Sequence, residues 1–234
     1  MRTSEEAVQH GRRVLAAATA LIALGALLVG GSLMAFTAMP TLSIEAVLAR
    51  VRETPTPFVI AGLALALISL ADLGTIPALH QRLRRHGPVL ILLATGTAVV
   101  GDLLGVLGRL AQTAQVPIAL SPRTDLAPSA AMAADVLDLT LNMAGFLLVS
   151  VSFVTFGVLF LRDGQRMLGV VGCVGGVCTA VGQLPLLSPA FLVANLAFVL
   201  WYAALARLFA RTPRTSSTAP TLEASAAGVT VPAS

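Results

Sequence analysis

Residues 88–110 read PVLILLATGTAVVGDLLGVLGRL, and the reading of this stretch sets the class of the molecule. It exceeds the roughly 20 apolar residues that carry a helix across the hydrocarbon core of a bilayer. Its only charged residues are Asp102 and Arg109, both toward its C-terminal end. Working outward, comparable runs occupy 14–36 and 58–79 before it, and 139–161, 167–187 and 190–210 after it. The run at 139–161 is the membrane part of a longer apolar stretch, 132–161, that carries Asp135 and Asp138 near its start. Its first turns are expected to continue as helix outside the bilayer. The opening run is longer than a signal-peptide core and no persuasive cleavage site follows it, so it is expected to stay.

Composition agrees. Of 234 residues 56% are hydrophobic and 11% charged, with a mean hydropathy of +0.89, whereas soluble domains carry about a quarter charged residues. A water-soluble fold of this size has no way to hide so much apolar surface. The expected fold class is all-α, a polytopic transmembrane bundle of six helices. All fifteen cationic side chains are Arg. Without a Lys there is neither a retinal Schiff base nor a phosphate-binding P-loop. The net charge of +4 and the pI of about 10.4 come from Arg at the ends of apolar runs. Topology explains that placement, and no nucleic-acid partner is called for.

With the N-terminus inside, eleven of the fifteen Arg fall on the cytoplasmic side; only Arg50, Arg52, Arg109 and Arg123 fall outside. Cytoplasmic loops carry this excess, so both termini are expected in the cytoplasm of a bacterial cell, with the protein in the inner membrane. The organisation is a cytoplasmic N-terminal segment at 1–12, a transmembrane domain at 13–211 and a disordered cytoplasmic tail at 212–234, rich in Pro, Ser, Thr and Ala. Residues 43–53 place Ile44, Val47, Leu48 and Val51 at helical spacing, as in a short amphipathic helix on the outer interface. The 112–129 connection, with Pro117, Pro122 and Pro128, is expected to be a cap rather than a helix. No internal repeat supports an inverted-repeat transporter.

Ionisable groups inside a membrane are the strongest functional signal available, because lipid makes them expensive. Counting residues from the span ends puts Asp102, Arg109, Asp135, Asp138, Asn142, Gln183 and Asn195 between midplane and outer surface. Converging, they would line a polar cavity open to the outside. Asp72 falls nearer the cytoplasm, flanked at helical spacing by Ser69 and Thr75, and is the proton-relay candidate, with Arg82, Arg84 and Arg85 close enough in depth to partner it. Each group also has a structural explanation. Asp102 and Arg109 can tie spans three and four together. Asp135 and Asp138 can be water-facing residues at a helix start, where the dipole favours acids. The Arg82, Arg84, Arg85 cluster can mark topology or meet anionic phospholipid at the cytoplasmic face. Cys173 and Cys178, five residues apart, do not form a bridge or a metal site on one helix. Gly101-x-x-x-Gly105 and Gly172-x-x-x-Gly176 have the close-approach spacing of membrane helices, within one bundle or between two protomers of a homodimer. Tyr202 shares a face with Asn195, which would bring its hydroxyl into the polar interior.

The run 64–86, a span ending in Leu83-Arg84-Arg85-His86, and the run 157–176, two spans joined by a short basic turn, resemble a family of bacterial six-span membrane proteins classed only as a domain of unknown function. In that family the turn usually reads Ile-Pro-Arg-Trp-Leu-Gly. Here Gln165-Arg166-Met167-Leu168-Gly169 has neither the Pro nor the Trp. The resemblance implies a fold and no activity. Three functions stay open: a small-ligand or proton binding, carrier-like protein with an outward-facing polar cavity; an accessory or structural membrane subunit; and an intramembrane enzyme acting on a lipid or isoprenoid. No catalytic spacing supports the last, and no cofactor, metal or catalytic residue is called for.

Overall fold

The computed structural model describes residues 2–37, 43–123, 125–183 and 188–210. The chain there is helical: α1 (Arg2–Thr37), α2 (Ile44–Glu53), α3 (Pro55–Leu83), α4 (Pro88–Thr113), α5 (Gln115–Ala119), α6 (Ala127–Arg162), α7 (Arg166–Gly182) and α8 (Ser188–Ala210), with a single 3-10 turn at Arg84–His86. Proline marks several helix starts. Pro55 and Pro88 open α3 and α4, and Pro128 follows the first residue of α6; a first-turn N–H has no helical partner to lose. Between α6 and α7 the chain reverses through Gly164, whose φ of 78° suits a residue without Cβ. Gln165 N–H bonds the Phe160 carbonyl at 2.9 Å and Gly164 N–H that of Leu161 at 3.2 Å, closing the end of α6.

The six longer helices form a ring. α1 packs on α3 and α8, α3 on α4, α4 on α6, α6 on α7, and α7 on α8. Outward faces are apolar, with Leu92, Leu192 and Leu196 all largely exposed, as lipid contact requires. Inside the ring Trp201 packs on Phe153 at 4.8 Å and edge-on to Phe160 at 5.6 Å between ring centroids. Small residues bring the helices together. A Cβ on Gly101 of α4 would come within 2.9 Å of the Gly145 carbonyl of α6, and one on Gly172 of α7 within 3.0 Å of the Gly157 Cα. Both glycine pairs therefore act inside one bundle.

Among the described residues five helices, α1, α3, α4, α6 and α8, are long and apolar enough to cross a membrane, which makes this an integral membrane protein. The expected fifth span, 167–187, is described only as the 17-residue α7, shorter than the other five, with Gln183 as its C-cap. Residues 184–187, 1 and the tail at 212–234 lie outside the described residues. The segment at 1–12 is helical from Arg2 onward and continuous with the first apolar run.

Two expectations about the connections are corrected. The 112–129 segment is not free of helix: α4 runs to Thr113, α5 follows, and α6 already starts at Ala127. Pro117 and Pro128 sit in first turns, where proline is tolerated, so they accompany helix starts rather than prevent helices. The helix over 44–53 does form, capped by Ser43, but its apolar face meets protein. Leu48 and Val51 are buried with Val116 and Ala119 of α5 and Ala127 and Ala131 of α6. Arg52 Nε ties the pair by donating to the Ala119 carbonyl at 2.6 Å. This α2–α5 layer is the cap end of the bundle; the other is the arginine end.

Candidate functional site

A cavity of about 130 Å³ lies within the ring, with walls from α1, α3, α4, α6 and α8. Its polar groups come from four helices that the sequence separates widely: Ser69 and Asp72, Asp102 and Arg109, Asn142, and Asn195 with Tyr202. Much of the remaining wall is aliphatic or aromatic, including Leu65, Ile68, Phe146 and Phe198. The pocket is far smaller than the roughly 300–1,000 Å³ of drug-sized sites, yet well above the about 10–15 Å³ that one water needs.

Asp72 was expected apart from the outer polar set. The structure corrects this: Asp72 and Asp102 face the same cavity and feel each other's charge. The reason is axial position. At about 1.5 Å per residue Asp72 lies about 16 Å from the arginine end of α3, and Asp102 about 21 Å from the same end of α4. Two neighbouring helices thus hold the carboxyls within about 5 Å of one depth. Thr75 Oγ1 donates to the Asp72 backbone carbonyl at 2.8 Å and reaches Asp72 Oδ1 at 3.2 Å. The Tyr202 hydroxyl lies beside Asp72 as a further hydrogen-bond partner. Asp102 is 4% exposed, and its Oδ2 has no hydrogen-bond partner among the described residues.

Arg109, considered as a partner for Asp102, turns elsewhere. Its Nη1 donates to Gln112 Oε1 at 3.1 Å, and Asp138 is the acid acting on it. Two helical turns, about 10 Å, separate it from Asp102 on their own helix. Asn142 Nδ2 donates to the Asp138 carboxylate and, at 3.0 Å, to the Asp138 backbone carbonyl. Gly108 lets α4 approach that amide, since a Cβ there would meet Asn142 Nδ2 at 2.7 Å. Asp138 is half-buried and does not line the cavity. The structure does not bring in two other candidates. Asp135 is exposed on α6, and Gln183 Nε2 contacts the Thr179 carbonyl of its own helix at 3.3 Å.

At the arginine end the cluster expected to partner Asp72 is engaged by a carboxylate that sequence reading passed over. Asp163 Oδ2 accepts from Arg82 Nε at 3.0 Å and Nη2 at 2.7 Å. Its Oδ1 accepts from Arg85 Nη2 at 3.1 Å and lies 2.9 Å from His86 Nε2. Burial alone pushes the Asp163 carboxyl up; the hydrogen bonds from Arg82 and Arg85 and the charge of Arg82 outweigh it and hold the group below the ordinary carboxylate range. Arg162 Nη1 adds a bond to the His86 carbonyl at 3.1 Å, so α3, the turn that leads into α4 and the end of α6 are tied together here. Arg84 is exposed, and Arg85 remains largely so. The available signal was the sole acid within the basic connection Arg162–Arg166.

A family model described as a domain of unknown function, DUF4386, matches residues 11–214. No curated protein and no solved structure matches the chain.

Proposed function

The chain belongs to the DUF4386 family, and from that premise we propose that it is a small-ligand or proton binding, carrier-like protein of the bacterial inner membrane. The observation that carries this reading is the convergence of Asp72 and Asp102 on one cavity, with Asp102 Oδ2 unpartnered. A carboxylate kept from solvent without a partner costs stability. Such a cost is common where a residue serves binding rather than packing.

Topology follows from the same reading. α7 is the fifth of six spans in chain order, and the arginine end of the ring faces the cytoplasm with both termini. The side pattern of Arg and the ring, in which α7 sits between α6 and α8, support this. Reporter fusions after residues 120 and 210 test it: the account expects an outside signal from the first and an inside signal from the second. Arg84 and Arg85 then face anionic head groups.

Binding is tested by melting the purified protein and its Asp102→Asn variant in mild detergent against cations, lipids, isoprenoids and small metabolites. A compound that raises the melting temperature of the natural protein alone supports the reading. If no class shifts either protein, the reading fails and an accessory role leads.

A further inference from the structure

We infer that the Asp72–Asp102 cavity takes a small organic ammonium ion, with Asp102 as the atom-level anchor for its N–H groups and the apolar wall holding its alkyl part. The inference rests on the reading of this cavity as a binding site and names the chemistry of its ligand.

Charge comes first. Two carboxyls from neighbouring helices share this part of the cavity. The nearest cation on its wall, Arg109, donates to Gln112 and stands about two helical turns from Asp102 along α4, with Asp138 as the acid acting on it. Nothing cationic among the described residues therefore balances the pair from within hydrogen-bond reach. A ligand that enters here carries positive charge.

Donor count comes next. Asp72 already accepts from Thr75 and has the Tyr202 hydroxyl beside it, whereas Asp102 keeps Oδ2 for an incoming N–H. Ser69 Oγ, facing α4 across Gly105, supplies a second acceptor near the same depth: a Cβ on Gly105 would sit 3.0 Å from it. An ammonium with two or three N–H groups is satisfied by such a set. A hard metal ion is not. Calcium takes about six to eight oxygens around one point, and among the described residues no three acids, histidines or cysteines gather as a metal site.

The wall decides between a bare inorganic cation and an organic one. Leu65, Ile68, Phe146, Val149 and Phe198 present apolar surface to the cavity. A hydrated ion gains nothing from them, whereas an alkyl group buries its area there at about 25 cal/mol per Å². Aromatic faces also attract an ammonium directly. The volume of about 130 Å³ limits the ligand to a few non-hydrogen atoms. Ethylammonium is a matching probe.

The test is calorimetric titration of the purified full chain with ethylammonium chloride, with sodium chloride, calcium chloride and ethanol as controls. Ethylammonium is expected to bind and to be displaced by neither inorganic cation at equal concentration, and ethanol, equal in non-hydrogen atoms but uncharged, is expected not to bind. Asp102→Asn should weaken ethylammonium by about 30-fold or more, the scale of truncating one member of a buried charge pair. Asp72→Asn should weaken it less, which keeps the assignment testable should one variant fail to fold. Equal binding of ethylammonium by Asp102→Asn, or competition by sodium or calcium, overturns the ammonium assignment. Asp102-dependent binding of sodium or calcium alone would leave the cavity a binding site for another ligand. Binding of none of the probes, with no hit in the wider melting panel, would sink both.

Discussion

Asp102 and Asp163 are both almost wholly withdrawn from solvent, yet the chain treats them in opposite ways. Asp163 closes the arginine end of the ring with two guanidinium groups and an imidazole at its two oxygens. Asp102 sits mid-bundle with one oxygen unpartnered and another acid as its neighbour. Where a carboxylate serves to join helices, the sequence supplies its cations from a separate helix and from the turn after it. Where it does not, a fold of this economy has no structural reason to retain the charge. That difference separates a joint from a site better than burial does.

The sharpest way to break the joint is at Arg82. Arg82→Ala removes two of the bonds to Asp163, and we expect a loss of about 3 kcal/mol, the scale for stripping one partner from a sheltered ion pair; urea or thermal unfolding in detergent measures it. Acid should act on the same joint more gradually. Because folding holds the Asp163 pKa down, its contribution is complete above the unfolded carboxylate range and is lost as pH falls through the folded value. Melting temperature should therefore drop on acidification in the natural protein and less so in Asp163→Asn. A parallel drop in both would detach the joint from Asp163.

On the cavity side Gly105→Ala is expected to change stability by no more than about 1 kcal/mol, since the gain in helix propensity offsets a contact with a Ser69 side chain that can rotate. The same change narrows the cavity beside Asp102, so ethylammonium binding should weaken while the melting temperature holds. The smallest effect is expected at Asp135, exposed on α6. Asp135→Asn should leave stability within about 0.5 kcal/mol and binding unchanged. Loss of binding there would extend the site to the cap end.

Much of this architecture was legible from residue patterns. Apolar runs locate the long helices, and depth or face alone singles out Asp102, Asn142, Asn195, Asp72 and Tyr202. What the pattern did not carry was adjacency. Counted from the ends of the apolar runs 58–79 and 88–110, Asp72 and Asp102 fall in different halves of the membrane; α3 runs on to Leu83, which brings the two to similar depth, and its packing against α4, with Gly105 close to Ser69, makes them neighbours. The same gap hid Asp163. It stands about eighty residues from Arg82 in sequence, as their hydrogen bond records, and no local signal reports a contact of that separation. Short elements failed for another reason. α5 contains a proline within five residues, and such a helix is decided by its packing on α2 rather than by propensity.

The contrast between the two carboxylates is tested most directly by melting Asp102→Asn and Asp163→Asn side by side, at neutral pH and with no ligand added. Each swap replaces one carboxyl by an amide and keeps side-chain size. The account predicts opposite outcomes: Asp102→Asn melts at or above the natural protein, while Asp163→Asn melts well below it. A fall of similar size in both would mean that Asp102 is a joint like Asp163, contradicting its assignment as a binding residue.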